Sequence, residues 1–310
     1  MTRNLPAVRL CDDAHDAAAA AAAASGLTVR EVSDPAEHRV IEHLLSGIWS
    51  TGHKPPMPGD IMRMLSYTGS YVAGAYRGTR LVGAGVGFLT DALPEIGAAH
   101  LHSHVLGVAS AERGRQVGFA LKLHQRAWAL ARGFDRITWT FDPLVRRNAH
   151  FNLSKLGAQP TRYLLDFYGD MPDGLNAGQG SDRLLVEWPL QAPHVHAAAH
   201  GTPAQPDARW PAAGARRVLR VGAGDAPERD GRSGGGPGRG TAVCQIPQDI
   251  EALREADPEA GLAWRRALRS VLSPAMADGA HIAGFDRTLG YLLVHDHAVP
   301  DAGASMKVAR

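Results

Sequence analysis

The chain has 310 residues, enough for one large domain or two with a buried core. Its 33 basic residues nearly balance 31 acidic ones, leaving a net charge of +2 and a pI near 8.6, which excludes a protein built mainly to grip nucleic acid. Two cysteines, Cys11 and Cys244, exclude a disulfide framework, and no run reaches the roughly 18 apolar residues of a spanning helix, so the expected setting is cytoplasmic, with neither nucleic acid nor membrane as partner.

Residues 1–26 are dominated by alanine and polar side chains, with Asp12, Asp13 and Asp16 ahead of the alanine run. This is a poor signal peptide and predicts a flexible N-terminal arm, at most a transient helix with little to pack. Residues 27–32 alternate and predict a first strand. Ser33 or Asp34 then caps a helix whose Val40, Ile41, Leu44, Leu45, Ile48 and Trp49 form an apolar stripe. A proline-containing loop over 53–58 is a candidate wall for an acceptor pocket. A second helix is expected over 60–65, then strands over 71–77 and 80–89 joined by a tight turn at Gly78-Thr79.

The most informative stretch is 100–131. Residues 101–108 are apolar and β-branched enough for a buried strand, Ser110-Ala-Glu-Arg-Gly-Arg115 breaks it, and Gln116 opens a long amphipathic helix. A helix start leaves backbone N–H groups unpaired. With the positive end of the helix dipole and with Arg113 and Arg115 beside them, those donors suit a phosphate or pyrophosphate.

Residues 137–142 predict a strand ended by Pro143, and 146–157 a short helix closed by Gly157. Residues 159–168 and 183–188 complete the sheet. The polar loop over 169–182 is long enough for a lid, with Asp173, Asn176 and Asp182 as candidate acceptor contacts. Residues 191–240 are crowded with Ala, Gly, Pro, His and Arg and predict a low-complexity linker; His194, His196 and His200 lie in it, and no metal site is expected. Residues 241–310 predict a C-terminal α/β extension: a strand near 241–246, helices over 249–254 and 258–272, strands over 281–285 and 290–295. Arg265, Arg266 and Arg269 are expected to be solvated, with an acidic acyl group as the alternative partner.

In sequence, residues from about Leu27 to His297 resemble the GNAT superfamily of N-acetyltransferases, with 27–190 as the acyltransferase domain; the family motif reads Arg or Gln, two residues, Gly, one residue, Gly or Ala, directly after a strand. Here the register is Arg113-Gly114-Arg115-Gln116-Val117-Gly118, followed by Phe119 and Ala120. Gln116 stands where the family usually has its first glycine; a residue with ordinary helical φ would still present its N–H there, with weaker pyrophosphate binding. The segments SHVLGV, TWTFDPL, LDFYGDMPDGLNAG and SDRLLVEW are similar to a bacterial branch of that superfamily. The resemblance implies an α/β (α+β) fold with a mixed, mostly antiparallel sheet flanked by helices, here carrying the C-terminal α/β extension. It also implies acetyl-CoA or another acyl-CoA as co-substrate. Backbone groups of Leu106, Gly107 and Val108 would then hold the pantetheine, and residues 113–120 the pyrophosphate, with Val117 among the helix-start donors. Asn148 would serve on the second cofactor helix. The family's usual tyrosine position holds Leu153, so Tyr163 or Tyr168 is the candidate substitute.

His102 and His104 are two apart on the motif strand, so they should face the same side unless a bulge intervenes. By the resemblance, His102 falls near the place of a catalytic glutamate in some relatives, and histidine titrates near neutral pH. The catalytic candidates are therefore His102, His104 and Tyr168. The expected activity is transfer of an acetyl or succinyl group to the amine of a small molecule, such as an amino acid, by direct attack on the thioester, with a homodimer as a further expectation. The competing expectation is a non-catalytic acyl-CoA-binding or regulatory protein on the same fold.

Overall fold

A computed structural model describes residues 5–49, 55–92, 97–169, 178–203, 215–230 and 240–295. In chain order the first half contains α1 (Leu5–Ala24), β1 (Thr28–Glu31), α2 (Pro35–Trp49), α3 (Gly59–Tyr67), β2 (Tyr71–Arg77), β3 (Arg80–Thr90), β4 (His100–Val108), α4 (Val117–Ala131) and β5 (Arg136–Phe141). A short α5 (Arg146–Ala149) runs into a π-helical stretch (His150–Lys155), then come β6 (Gln159–Leu164), β7 (Arg183–Pro189) and α6 (Pro193–Ala199). The rest comprises β8 (Arg216–Val221), β9 (Pro227–Arg229), β10 (Gly240–Cys244), α7 (Ile250–Ala256), α8 (Pro258–Ala277), β11 (His281–Asp286) and β12 (Gly290–His295).

Seven strands form one sheet in the order β1-β2-β3-β4-β5-β7-β6, antiparallel except between β4 and β5. Helices α2 and α3 cover one face, where Ile41, Leu45 and Met62 are fully buried. On the other face α4 buries Val117, Ala120 and Leu121. The mixed, mostly antiparallel sheet flanked by helices is the fold class expected from the sequence.

A second, five-stranded sheet has the order β11-β12-β10-β8-β9. Its Leu219, Ile282 and Tyr291 and the α8 residues Trp264 and Leu268 join Trp139, Leu184 and Trp188 in one continuous core. The linker expectation for 191–240 is therefore corrected in its described parts: residues 193–199 are helix, and 216–221 and 227–229 are strands. The Gly- and Pro-rich composition masked them, because only Val195, Val218 and Leu219 supply aliphatic anchors. The N-terminal arm is corrected as well. Helix α1 lies along α4, burying Ala14, Ala17 and Ala18, and the Cys11 thiol donates to the Leu130 carbonyl. An alanine face packs closely without a strong apolar stripe, so its burial left little mark on the sequence.

The expected solvation is overturned for Arg265 and Arg269, while Arg266 is exposed as expected. Arg265 and Arg254 are buried and both bind the Asp142 carboxylate at the end of β5, Arg265 through two bonds of 2.8 and 2.7 Å and Arg254 at 3.0 Å. Burial pushes the Asp142 carboxyl up, and the two guanidinium charges outweigh it, holding the group well below the usual carboxylate range. Arg269 pairs with Asp182 at 2.6 Å and with Asp166 at 2.9 Å. Both cysteines are free thiols, and among the described residues no helix is long and apolar enough to cross a membrane.

Candidate active site

The site is built where β4 and β5 separate. They pair only at Leu101–Ile137 and His102–Thr138, so beyond Ser103 the β5-facing edge of β4 has no strand partner. The parting exposes backbone groups of residues 106–108 to a ligand that can hydrogen-bond like a strand. On its other edge β4 is bulged: Val86 pairs with Val105 and Gly87 with Ser103, leaving His104 as the extra residue. A Cβ at Gly107 would lie 2.8 Å from the tips of the Leu45 and Ile48 side chains of α2, so any larger residue would require those side chains to shift.

The turn after β4 is fixed from beneath. Ser110–Glu112 forms one 3₁₀ turn, and Glu112 is buried against Arg77 at 3.0 Å, Arg80, and Arg115 at 3.7 Å. The hydrogen bond from Arg77 is the main influence holding the Glu112 carboxyl below its ordinary value. Gly114 has φ +78 and Gln116 has φ +63, so both are left-handed. The expectation of ordinary helical φ at Gln116 is thus corrected, and the family's glycine at this place has a steric reason. The Gln116 side chain accepts from Lys155 of the π-helical stretch.

Among the described residues, no carbonyl accepts from the N–H of Gln116, Val117, Gly118 or Phe119. Arg113 is exposed and makes no ion pair among those residues. Residues 113–120 form one continuous turn and helix start, and unpaired donors there beside a free guanidinium are the groups an anion such as a pyrophosphate would need. Gln116→Gly is expected to stabilise the fold by about 1 kcal/mol in urea denaturation, by relieving the left-handed strain. A destabilised variant would mean that the Lys155 contact outweighs that strain.

A cavity of about 640 Å³ continues from Gln116 and Phe119 to His150, Lys155 and, across the second sheet, Phe285 and Arg287. Asn148 is half-buried at the head of the π-helical stretch, and Leu153 is buried in the core where the family has tyrosine. Arg146 and Arg147 turn away from the start of α4. Arg146 donates to the Ile246, Pro247 and Arg287 carbonyls, and Arg147 pairs with Glu251.

At the base of the cleft three side chains form a directed chain. His100 Nδ1 lies 2.8 Å from the Ala98 carbonyl and 3.4 Å from the Arg136 guanidinium; the closer carbonyl contact assigns the proton to Nδ1 and an acceptor role to Nε2. Thr138 Oγ1 then donates to His100 Nε2 at 3.0 Å and receives the His102 Nδ1 proton at 2.9 Å. This leaves His102 Nε2 as a lone-pair acceptor. Burial, with smaller contributions from the charges of His104, His100 and Lys122, lowers the His102 pKa to about 4, so the ring is neutral at pH 7. His104 packs on Phe88 at 5.0 Å between ring centroids, and burial lowers its pKa too.

Tyr163 donates to Asp182 at 2.8 Å, and Asp182 is fully buried, so both are structural and Asp182 does not face an acceptor. Tyr168 is exposed, with its hydroxyl 3.3 Å from Thr140 Oγ1, two residues past Thr138 where β5 has left β4. Asp173, Asn176 and the start of the 53–58 loop lie outside the described residues.

Sequence reasoning missed His100 and Thr138, whose roles depend on the β4–β5 register, and Glu112, which reads as one charge in a basic turn. It also missed Lys122 on α4. That ammonium is wholly buried, 3.0 Å from Ser103 Oγ and Gln125 Oε1 and 3.6 Å from the Trp139 ring centroid; burial drives its pKa well below the ordinary lysine value. Its only mark in the sequence is a charge between Leu121 and Leu123.

A family model described as the acetyltransferase (GNAT) family matches residues 39–157, from α2 through β4, the turn and α4 to Gly157. No curated protein matches the sequence. Similar solved structures include Naa20 of Chaetomium thermophilum in complex with a bisubstrate analogue, at 18% identity, covering 52% of this chain and 86% of that one with a TM-score of 0.43. A GNAT-family acetyltransferase of Streptococcus pneumoniae has 13% identity, with 52% and 98% covered and a TM-score of 0.41. Ard1 of Thermoplasma volcanium has 16% identity, with 52% and 96% covered and a TM-score of 0.40. The strand, bulge, turn and helix all lie within residues 39–157, the part of the chain that is similar to the acetyltransferase (GNAT) family.

Proposed function

We propose that the protein transfers an acyl group, acetyl or succinyl, from acyl-CoA to the amine of a small molecule such as an amino acid. The observation that carries this reading is the cradle of unpaired N–H groups at residues 116–119 beside the parting of β4 from β5. The pyrophosphate lies on that cradle against Arg113 and Arg115, and the pantetheine runs along the edge of Leu106, Gly107 and Val108. Lys155 and Arg287 outweigh Asp286 in the lining of the adjoining cavity and leave it a net positive charge, which suits a nucleotide phosphate.

His102 Nε2 takes a proton from the acceptor ammonium, directly or through one water. The free amine attacks the thioester carbonyl, a backbone N–H of β4 steadies the oxyanion, and the C–S bond breaks. The nitrogen sheds its surplus proton as the amide forms, and the leaving thiolate takes up a proton from Tyr168 or from solvent, which the shed proton replaces. His104 lines the same stretch of strand. The test is a panel of amino acids and small amines incubated with acetyl-CoA and succinyl-CoA, with free thiol and N-acylated product measured together. The reading predicts thiol release that rises with one class of amine and a product of matching mass. Release that ignores every amine, with acyl-CoA bound, would support the non-catalytic alternative.

The depressed His102 pKa sets the pH dependence. With a value of about 4, the base is already unprotonated from pH 5 upward, so the limb of kcat/KM seen above that pH is the alkaline one, where the acceptor loses the ammonium proton that His102 takes. Profiles taken with two acceptors of different amine pKa should show limbs that move with the acceptor. A limb fixed near 6.5 for both would contradict the neutral, buried state of His102.

A further inference from the structure

Away from the cleft, α1 and α6 meet in a cluster that acyl transfer does not use. Asp13 of α1 faces two imidazoles one helical turn apart, His196 on α6 and His200 at its C-terminal cap. His200 Nε2 is 3.0 Å from Asp13 Oδ1, His196 Nε2 is 3.1 Å from Asp13 Oδ2, and the two ring centroids are 4.6 Å apart. One atom from each residue lies within 4.8 Å of the others. Ligand atoms around a tetrahedral ion with bonds near 2.0–2.1 Å are about 3.3 Å apart, so rotamer adjustments smaller than about 1 Å close the site.

A second observation points the same way. Asp13 Oδ2 is buried and receives no hydrogen bond of acceptable geometry, although His196 Nε2 stands 3.1 Å away. An imidazole satisfied by this carboxylate would aim its N–H at the oxygen. The rings are half-exposed, which leaves an ion a way in and room for water as a fourth ligand.

We infer that Asp13, His196 and His200 form a Zn²⁺ site that staples α1 to α6. Two neutral imidazoles and one carboxylate are a donor set that zinc takes readily and that hard cations such as Mg²⁺ and Ca²⁺ do not. The ligands stand 187 residues apart at Asp13 and His200, so the ion closes a long loop and couples to the stability of both helices. The same helices wall the cavity beside the cradle, through Ala21 and Ala24 of α1 and Ala198 of α6. The site is independent of the acyl-transfer reading.

The test is calorimetric titration of untagged, chelator-stripped protein with Zn²⁺ alone, alongside thermal melts with and without the ion. The expected result is one equivalent bound with Kd below about 10 μM. A melting temperature raised by Zn²⁺ should accompany it. Asp13→Asn and His200→Ala should each weaken binding at least about tenfold and abolish the thermal shift, while His15→Ala, two residues on and facing away around α1, leaves both unchanged. Urea curves in chelator establish that the variants fold. Absence of saturable one-equivalent binding, or binding that survives in Asp13→Asn and His200→Ala, would overturn the proposal.

Discussion

Replacing Asp142 with alanine is expected to cost the fold about 3–5 kcal/mol, because it leaves two buried guanidinium groups without their shared counter-charge. Arg265 and Arg254 reach Asp142 from α8 and α7, and the carboxylate sits directly after β5, so the loss falls where the second sheet's helices grip the strand that forms one side of the cleft. The comparison is Glu251→Ala, which breaks the exposed Arg147–Glu251 pair and should cost less than about 1 kcal/mol. Urea denaturation of both variants decides the matter. A loss under 1 kcal/mol for Asp142→Ala would show that the triad is not the anchor its geometry indicates.

The second large effect is on turnover. His102→Gln keeps a donor near Thr138 but removes the unprotonated Nε2, and it is expected to lower kcat by about a hundredfold with acyl-CoA affinity retained, the range of a lost general base. Both arms are needed. A fall in kcat with unchanged binding places His102 in proton transfer, whereas unchanged kcat would move that role to His104 or to water. The substitution should also flatten the acid sensitivity of the fold. A histidine whose folded pKa lies below its unfolded value stabilises fully above pH 6.5 and loses that contribution as pH falls toward about 4. Part of the loss of stability over that window should therefore disappear in His102→Gln.

What the sequence disclosed follows from how local the information is. The strand from His100, the basic turn and the helix after Gln116 are contiguous, so pattern and motif sufficed to place these three elements in order. The partners of Arg265 and Arg269 were hidden because Asp142 and Asp182 lie 123 and 87 residues away, and only the docking of α8 brings them together. Charged side chains in a helix read as solvated unless their counter-charge is visible. The α1 helix and the strands within 191–240 were illegible for a different reason. Alanine packing carries no periodic contrast, and strands as short as Pro227–Arg229 show too few apolar positions against Gly and Pro. At Gln116 the motif revealed a departure from the family but not its conformation; a glutamine at φ +63 is held by its surroundings, including Lys155.

The central claim is that this turn holds the pyrophosphate of acyl-CoA, and calorimetric titration with acetyl-CoA and succinyl-CoA tests it most directly when repeated on Arg113→Ala/Arg115→Ala. The account predicts saturable one-to-one binding by the unaltered protein. In the double variant it should weaken at least about tenfold, since each charge-assisted contact contributes roughly 1.5–3 kcal/mol. No binding by a folded, unaltered protein, or equal binding by the variant, would contradict it.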